Sequence, residues 1–262
     1  MVAKINGIKL SYQLDGPVGR PCVVLIHGFP FTRATWKTAV AALKKSFRVL
    51  TYDLRGMGES TLGPAPQPLE SYVDDLIALL DHLMIAKAGV AGLSMGGYIA
   101  LRAIQRNADR FWALALCDTK ASADTDEGRL GRASAIKALH EKGIKPYAQA
   151  MLPKYLAQPA SPAGKSLMKI MLQNKVPGAA NALAAMQGRT DSSAALGSLA
   201  VPVLVMAGDQ DQVIPVAVAT ALASQIPQAK LKFLPGAGHV ANLEDPKGFD
   251  QALLDFFIEA YD

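Results

Sequence analysis

The sequence predicts an α/β fold: a mostly parallel central sheet with helices on both faces, interrupted by one helical insertion. Three observations predict it. Continuous apolar, β-branched runs at residues 22–26, 47–52, 88–93, 111–117 and 201–207 read as strands buried on both faces. Segments with apolar residues at helical spacing alternate with these runs, as a parallel sheet with crossover helices requires. The alternation stops over residues 119–200, where Ala-, Met- and Lys-rich helical patterns are broken by Pro146, Pro153, Pro159, Pro162 and Pro177 and no strand run is visible.

Residues 2–5 and 8–14 are short strand-like runs joined by Asn6-Gly7, a strong hairpin signal. The run at 22–26 ends in His27-Gly28-Phe29-Pro30. A helix over 35–44 carries Trp36, Val40 and Leu43 on one face, and the strand at 47–52 leads into the glycine-punctuated turn Asp53-Leu-Arg-Gly-Met-Gly-Glu-Ser60. A proline-rich loop precedes an amphipathic helix over 69–84. The strand at 88–93 stops at Ser94, and a helix to about residue 106 follows at once. After the strand at 111–117 and the insertion come the strand 201–207, a helix over 216–224, a strand over 231–234 and a closing helix over 246–261. No internal repeat is present.

The totals narrow the function classes. With 262 residues, half of them hydrophobic, the chain suits one large α/β domain with an insertion or two small domains. Its net charge of +5 is scattered, with no basic stripe interleaved with aromatics, which argues against nucleic-acid binding. No apolar run reaches the roughly 18–20 residues that span a bilayer. The N-terminal residues lack a charged segment followed by an apolar one. The two cysteines, Cys22 and Cys117, lie in strand-like runs and read as buried thiols. The expectation is a cytoplasmic protein, monomer or homodimer, with no membrane or nucleic-acid partner.

Gly92-Leu-Ser94-Met-Gly96 is a G-x-S-x-G sequence in a strand–turn–helix setting, the context of a nucleophile elbow. The turn leaves no room for side chains two residues either side of the serine. The helix behind it aims N–H groups and its positive dipole end at the same place. A serine hydroxyl needs a base, and the base needs an oriented acid. Of four histidines, His239 lies in a small-residue loop after the last strand and is the best base; His27 is its rival, with a loop-pinning reading favoured by Gly28. Asp209, Asp211 and Asp118 all sit at strand ends in acceptable chain order for the acid.

The chain resembles the α/β-hydrolase superfamily along nearly its whole length. The matching motifs are His27-Gly28-Phe29-Pro30, Asp53-x-Arg55-Gly56-x-Gly58-x-Ser60, Gly92-x-Ser94-Met95-Gly96-Gly97, Gly208-x-x-Asp211-x-x-x-Pro215 and Gly238-His239. The resemblance implies that Ser94, Asp211 and His239 are the catalytic residues. It makes Asp209 a turn residue and Asp53 and Arg55 a structural turn. It implies an oxyanion hole formed by the backbone N–H groups of Phe29 and Met95. Residues 1–118 and 201–262 would be the core domain and 119–200 a helical cap. Pro30, Val213 and Val240 adjoin these positions and are pocket candidates; Met168, Met171 and Met186 read as packing within the cap. The implied activity is that of a carboxylesterase acting on small to medium esters without metal or cofactor. The alternatives are a lactonase of the 3-oxoadipate enol-lactone type and, in a different class, a ligand-binding receptor on the same fold. Haloalkane dehalogenases and epoxide hydrolases carry aspartate at the elbow, so Ser94 argues against both.

Overall fold

A computed structural model describes residues 1–262. Its eight strands are β1 (Val2–Ile5), β2 (Ile8–Asp15), β3 (Cys22–Ile26), β4 (Arg48–Tyr52), β5 (Ala88–Leu93), β6 (Phe111–Cys117), β7 (Val203–Gly208) and β8 (Lys230–Leu234). Its helices are α1 (Lys37–Leu43), α2 (Leu69–His82), α3 (Met95–Arg106), α4 (Asp126–Lys142), α5 (Ile144–Tyr155), α6 (Pro162–Met171), α7 (Val176–Gln187), α8 (Val216–Ser224), α9 (Ala241–Glu244) and α10 (Pro246–Tyr261). All strands form one sheet in the order β1-β2-β4-β3-β5-β6-β7-β8, antiparallel at the β1–β2 and β2–β4 pairs and parallel elsewhere. None of the helices is long and apolar enough to cross a membrane.

The first hairpin turns where Asn6-Gly7 predicts: both residues take positive φ, 46° and 74°, as a tight two-residue connection demands. Every residue of β3, β5 and β7 is buried, which is why these segments read as unbroken apolar runs. Their side chains still alternate. Val24, Ile26, Val90, Leu114 and Leu116 join the core under α2 and α3. Val23, Leu25, Ala91, Leu93, Ala113 and Ala115 face the core under α1 and α10.

Strand ends move by one or two residues from the sequence reading, and three other differences have local reasons. Helix α2 ends at His82 because Met84 adopts φ 55°, outside helical space. The first turn of the 35–44 helix is a 3₁₀ turn over Arg33–Trp36, capped by the Thr32 hydroxyl. The four-residue α9 is too short to leave a periodic signature. Residues 118–202 hold α4 to α7 and no strand.

The strand order sets where a ligand can bind. From β3 the chain moves outward to β4, then returns across β3 to β5. The crossovers on either side of the β3–β5 pair therefore run in opposite directions and open a crevice at their C-terminal ends. His27-Gly28-Phe29 and Ser94 leave the sheet at that crevice.

Candidate active site

Ser94 follows β5 directly and stands at the N-terminus of α3 with φ 52° and ψ −113°, a conformation an L-residue adopts only under constraint. The constraint is visible. A Cβ on Gly92 would lie 2.3 Å from the Gly96 carbonyl oxygen, and one on Gly96 would lie 2.2 Å from that of Ile26. Only glycine lets β5, the turn and β3 approach this closely. The Ser94 N–H donates to the Cys117 carbonyl at 2.8 Å, and the Thr119 hydroxyl donates to the Ser94 carbonyl at 2.8 Å.

The strained turn aims the Ser94 hydroxyl at His239, whose Nε2 is 2.9 Å from Oγ. The other ring nitrogen, Nδ1, is 2.8 Å from Asp211 Oδ2. Asp211 Oδ1 accepts the N–H groups of Val213 at 2.7 Å and Ile214 at 2.9 Å, so both carboxylate oxygens have partners. All three side chains are buried, and Ser94 is only 8% exposed. The Phe29 N–H donates to no other group of the chain, and the Met95 N–H opens α3, where helix amides have no intrahelical acceptor. Phe29 lies on the loop after β3, and Met95 directly follows Ser94.

The rival assignments resolve into other roles. His27 is wholly buried; its Nε2 accepts the Leu54 N–H at 3.0 Å and its Nδ1 lies 2.8 Å from the Gly28 carbonyl, so it pins the loop after β3 to the one after β4. Burial holds its pKa below the ordinary histidine value, which keeps the ring neutral. Asp209 Oδ1 accepts the Gly236 N–H at 2.8 Å, a turn contact. Asp118 Oδ1 accepts the Gly208 N–H at 2.9 Å, while its Oδ2 has no partner. Burial, with Asp211 nearby, raises its pKa well above the usual carboxylate range. Asp53 accepts the N–H groups of Arg33 at 2.8 Å and Glu59 at 3.1 Å. Arg55 and Asp75 form a two-bond pair at 2.7 Å each, with side chains 4% and 1% exposed. Both are architectural, as the motif implies. His82 and His140 are exposed and far from this line.

Of the pocket candidates, Pro30 is buried and its carbonyl accepts a 2.7 Å bond from Asn174 Nδ2. Val213 is 37% exposed, and Val240 is buried within the α1–α10 core. Met171 and Met186 pack in the two cores, with Met168 against one of them. Asn174 lies between α6 and α7. Besides Pro30, it accepts the Gly58 N–H at 2.9 Å, tying the inserted helices to the loops after β3 and β4.

Four aromatic and cationic residues escaped the sequence reading. The Tyr155 ring stacks on His239, centroids 5.6 Å apart and planes 22° apart. Tyr147 meets Phe29 edge-on at 5.9 Å. Tyr98, one turn along α3, lies under the Arg189 guanidinium at 4.2 Å. Only Tyr98 carried a signal, being four residues after Ser94 on a helix.

The model of the alpha/beta hydrolase family matches residues 23–252. A thermophilic esterase from Thermogutta terrifontis, solved with malate bound, is 32% identical over 100% of this chain and 97% of its own, with a TM-score of 0.94. The enol-lactonase of Burkholderia xenovorans is 31% identical over 98% of this chain and 100% of its own, with a TM-score of 0.92. The 3-oxoadipate enol-lactonase 1 of Acinetobacter baylyi is 29% identical over 98% of this chain and 96% of its own. With the family model spanning residues 23–252 and solved relatives more than 30% identical along nearly the whole chain, the chain belongs to the alpha/beta hydrolase family.

Proposed function

We propose that this protein is a serine hydrolase that cleaves small to medium carboxylic esters through an acyl-enzyme. The observation that carries the reading is the continuous line Ser94 Oγ–His239 Nε2, 2.9 Å, and His239 Nδ1–Asp211 Oδ2, 2.8 Å, beside two backbone N–H groups. Ser94 Oγ attacks the ester carbonyl carbon as its proton passes to His239 Nε2. The carbonyl oxygen becomes an oxyanion, held by the N–H groups of Phe29 and Met95; losing one such donor typically slows a reaction ~100- to 1,000-fold. His239 then gives its proton to the departing alkoxide, leaving Ser94 acylated. A water loses a proton to the same nitrogen, attacks the acyl carbon, and the acid leaves as Ser94 regains its proton. Asp211 fixes the tautomer that presents Nε2 to Ser94 and stabilises the imidazolium. No step requires a metal or cofactor. The helices between residues 119 and 200 act as a cap that keeps water from the site.

A lactone is a cyclic ester, and the same steps open it. The enol-lactonases among the relatives favour this second reading, with 3-oxoadipate enol-lactone as a candidate substrate. The malate found on the Thermogutta esterase supports a site that takes small carboxylic acids and their esters. The test is turnover of p-nitrophenyl acetate and butyrate beside a panel of small lactones. Ser94→Ala is expected to fold normally and to lose activity by roughly 10⁴- to 10⁶-fold. Activity retained in that variant overturns the reading, and a kcat/KM higher on lactones than on open esters selects the second.

A further inference from the structure

A second cluster of charge lies where the inserted helices meet α3. Asp124, 5% exposed at its side chain, is shared by Arg189 Nη1 at 2.7 Å, Arg132 Nε in direct contact and Lys120 Nζ at 3.8 Å. Three cations on one buried carboxylate leave the cluster positive. Asp191, whose carboxylate feels the Arg189 charge, accepts the backbone N–H groups of Ala123 at 2.9 Å and Ser193 at 2.8 Å.

The two arginines are not equivalent. Arg189 also donates to the carbonyls of Met186 at 2.9 Å and Ser122 at 2.6 Å and lays its face on Tyr98, so it is built into the packing. Arg132 turns Nε and Nη2 to Asp124, while its Nη1 meets the Met186 sulfur at 3.4 Å and the guanidinium lies beside the Tyr98 hydroxyl. A thioether is a weak acceptor, and a guanidinium N–H so placed keeps most of its capacity for an oxygen ligand.

The surroundings of Arg132 locate that donor. Arg132 shares Asp124 with Arg189, whose guanidinium lies on the Tyr98 ring at 4.2 Å. Its helix α4 packs on α5, which carries Tyr147 and Tyr155, and its charge also bears on the Tyr98 and Tyr147 hydroxyls. These tyrosines touch the three parts of the candidate site. Tyr98 N–H bonds the Ser94 carbonyl at 3.3 Å, Tyr147 packs on Phe29, and Tyr155 stacks on His239. Arg132, 20% exposed at its side chain, thus stands beside tyrosines that pack on the groups around Ser94.

Resting on the ester-hydrolase reading above, we propose that Arg132 Nη1, with the Tyr98 and Tyr147 hydroxyls, binds a free carboxylate on the substrate, remote from the scissile bond. The substrate class is then half-esters of dicarboxylic acids, or lactones bearing a carboxylate, rather than simple neutral esters. Charge-assisted bonds of this kind favour the anionic substrate by about 10- to 100-fold over a neutral isostere.

The test compares p-nitrophenyl hemiglutarate with p-nitrophenyl valerate, and 4-(butyryloxy)benzoate with phenyl butyrate, so that the carboxylate lies on either side of the ester. For the parent, one of the two anionic probes is expected to have at least tenfold higher kcat/KM than its neutral partner. Arg132→Gln is expected to cut that ratio at least tenfold, chiefly through KM, and Arg132→Lys to restore part of it. Asp124 keeps Arg189 and Lys120 in both variants, so no buried carboxylate is stranded. A second readout needs no turnover: glutarate is expected to raise the Tm of the parent more than valerate does, and that difference is expected to vanish in Arg132→Gln. A ratio near one in the parent, or a ratio and Tm shift unchanged in Arg132→Gln, overturns the proposal while neutral-ester turnover leaves the hydrolase reading standing. Absence of turnover on every ester and lactone overturns the hydrolase reading, and the glutarate shift then decides the carboxylate site by itself.

Discussion

The ends of the central strands and the inserted helices build their polar clusters by different means. At the strand ends, backbone geometry places the groups: Ser94 is aimed by glycines that let β3 and β5 close on the turn, and Asp211 is held by two N–H groups of its own loop. Between α4 and α7, side chains place one another: Asp124, Arg132, Arg189 and Lys120 come together across separate segments. The first kind of cluster tolerates little change in the chain path and much change in nearby side chains. The second is the reverse. With the roles proposed above, the difference separates a cluster built for a fixed reaction from one built for a variable substrate.

The largest expected effect tests the backbone-built cluster. Asp211→Asn should keep the fold but lower kcat on p-nitrophenyl butyrate by about 10⁴-fold, because the amide donor favours the wrong histidine tautomer. A loss under tenfold would mean that Asp211 does not orient His239.

Next comes the scaffold beneath it. Asp75→Ala strands Arg55 in a buried place and should cost about 3–5 kcal/mol of unfolding free energy by denaturant titration. The kcat per folded molecule should change little, since the pair touches neither Ser94 nor His239. A large fall in kcat without loss of stability would bring Arg55 into the site.

A smaller effect probes the seam between the two regions. Tyr155→Leu keeps bulk but removes the ring stacked on His239. Aromatic pairs contribute ~0.5–1.5 kcal/mol beyond burial, so kcat should fall about 3- to 10-fold.

The smallest effect concerns Asp118. Burial raises its folded pKa above the unfolded value of about 3.9, so the folded state binds the proton more tightly. Its contribution to stability is complete below pH ~4 and is lost as pH rises toward the folded pKa. Asp118→Asn cannot ionise. Its Tm relative to the parent should therefore climb between pH 5 and pH 8, with kcat changed by less than about threefold. A flat difference across that range would show that Asp118 is not held protonated.

The same contrast explains what was legible in the sequence. Strands β3, β5, β6 and β7 are buried on both faces, so their apolar runs stand out, and the glycines that fit the elbow leave a fixed spacing around Ser94. Asp211 and His239 follow strands, and chain order narrows the choice. The cluster around Arg132 left no such trace. Helix α4 buries only Leu139, so its pattern is mostly that of a solvated helix, and Arg132 meets Met186, as Asp124 meets Arg189, across more than fifty residues of chain. Tyr147 and Tyr155 are unremarkable as sequence; their meaning lies in the rings they contact. Asp118, Asp209 and Asp211 are alike as loop aspartates; the family motif singles out Asp211, and their hydrogen bonds give each its own place.

Asn174 joins the two regions mechanically. One amide side chain holds the Pro30 carbonyl, next to the Phe29 N–H, and the Gly58 N–H, while its own backbone belongs to the segment between α6 and α7. A shift of those helices is therefore transmitted to the loop that carries Phe29, the proposed oxyanion donor. Substitutions that widen the space under the helices to admit bulkier acyl groups will change turnover along with size selection. A broader substrate range and an undiminished rate are then hard to engineer together unless the Asn174 clasp is kept intact.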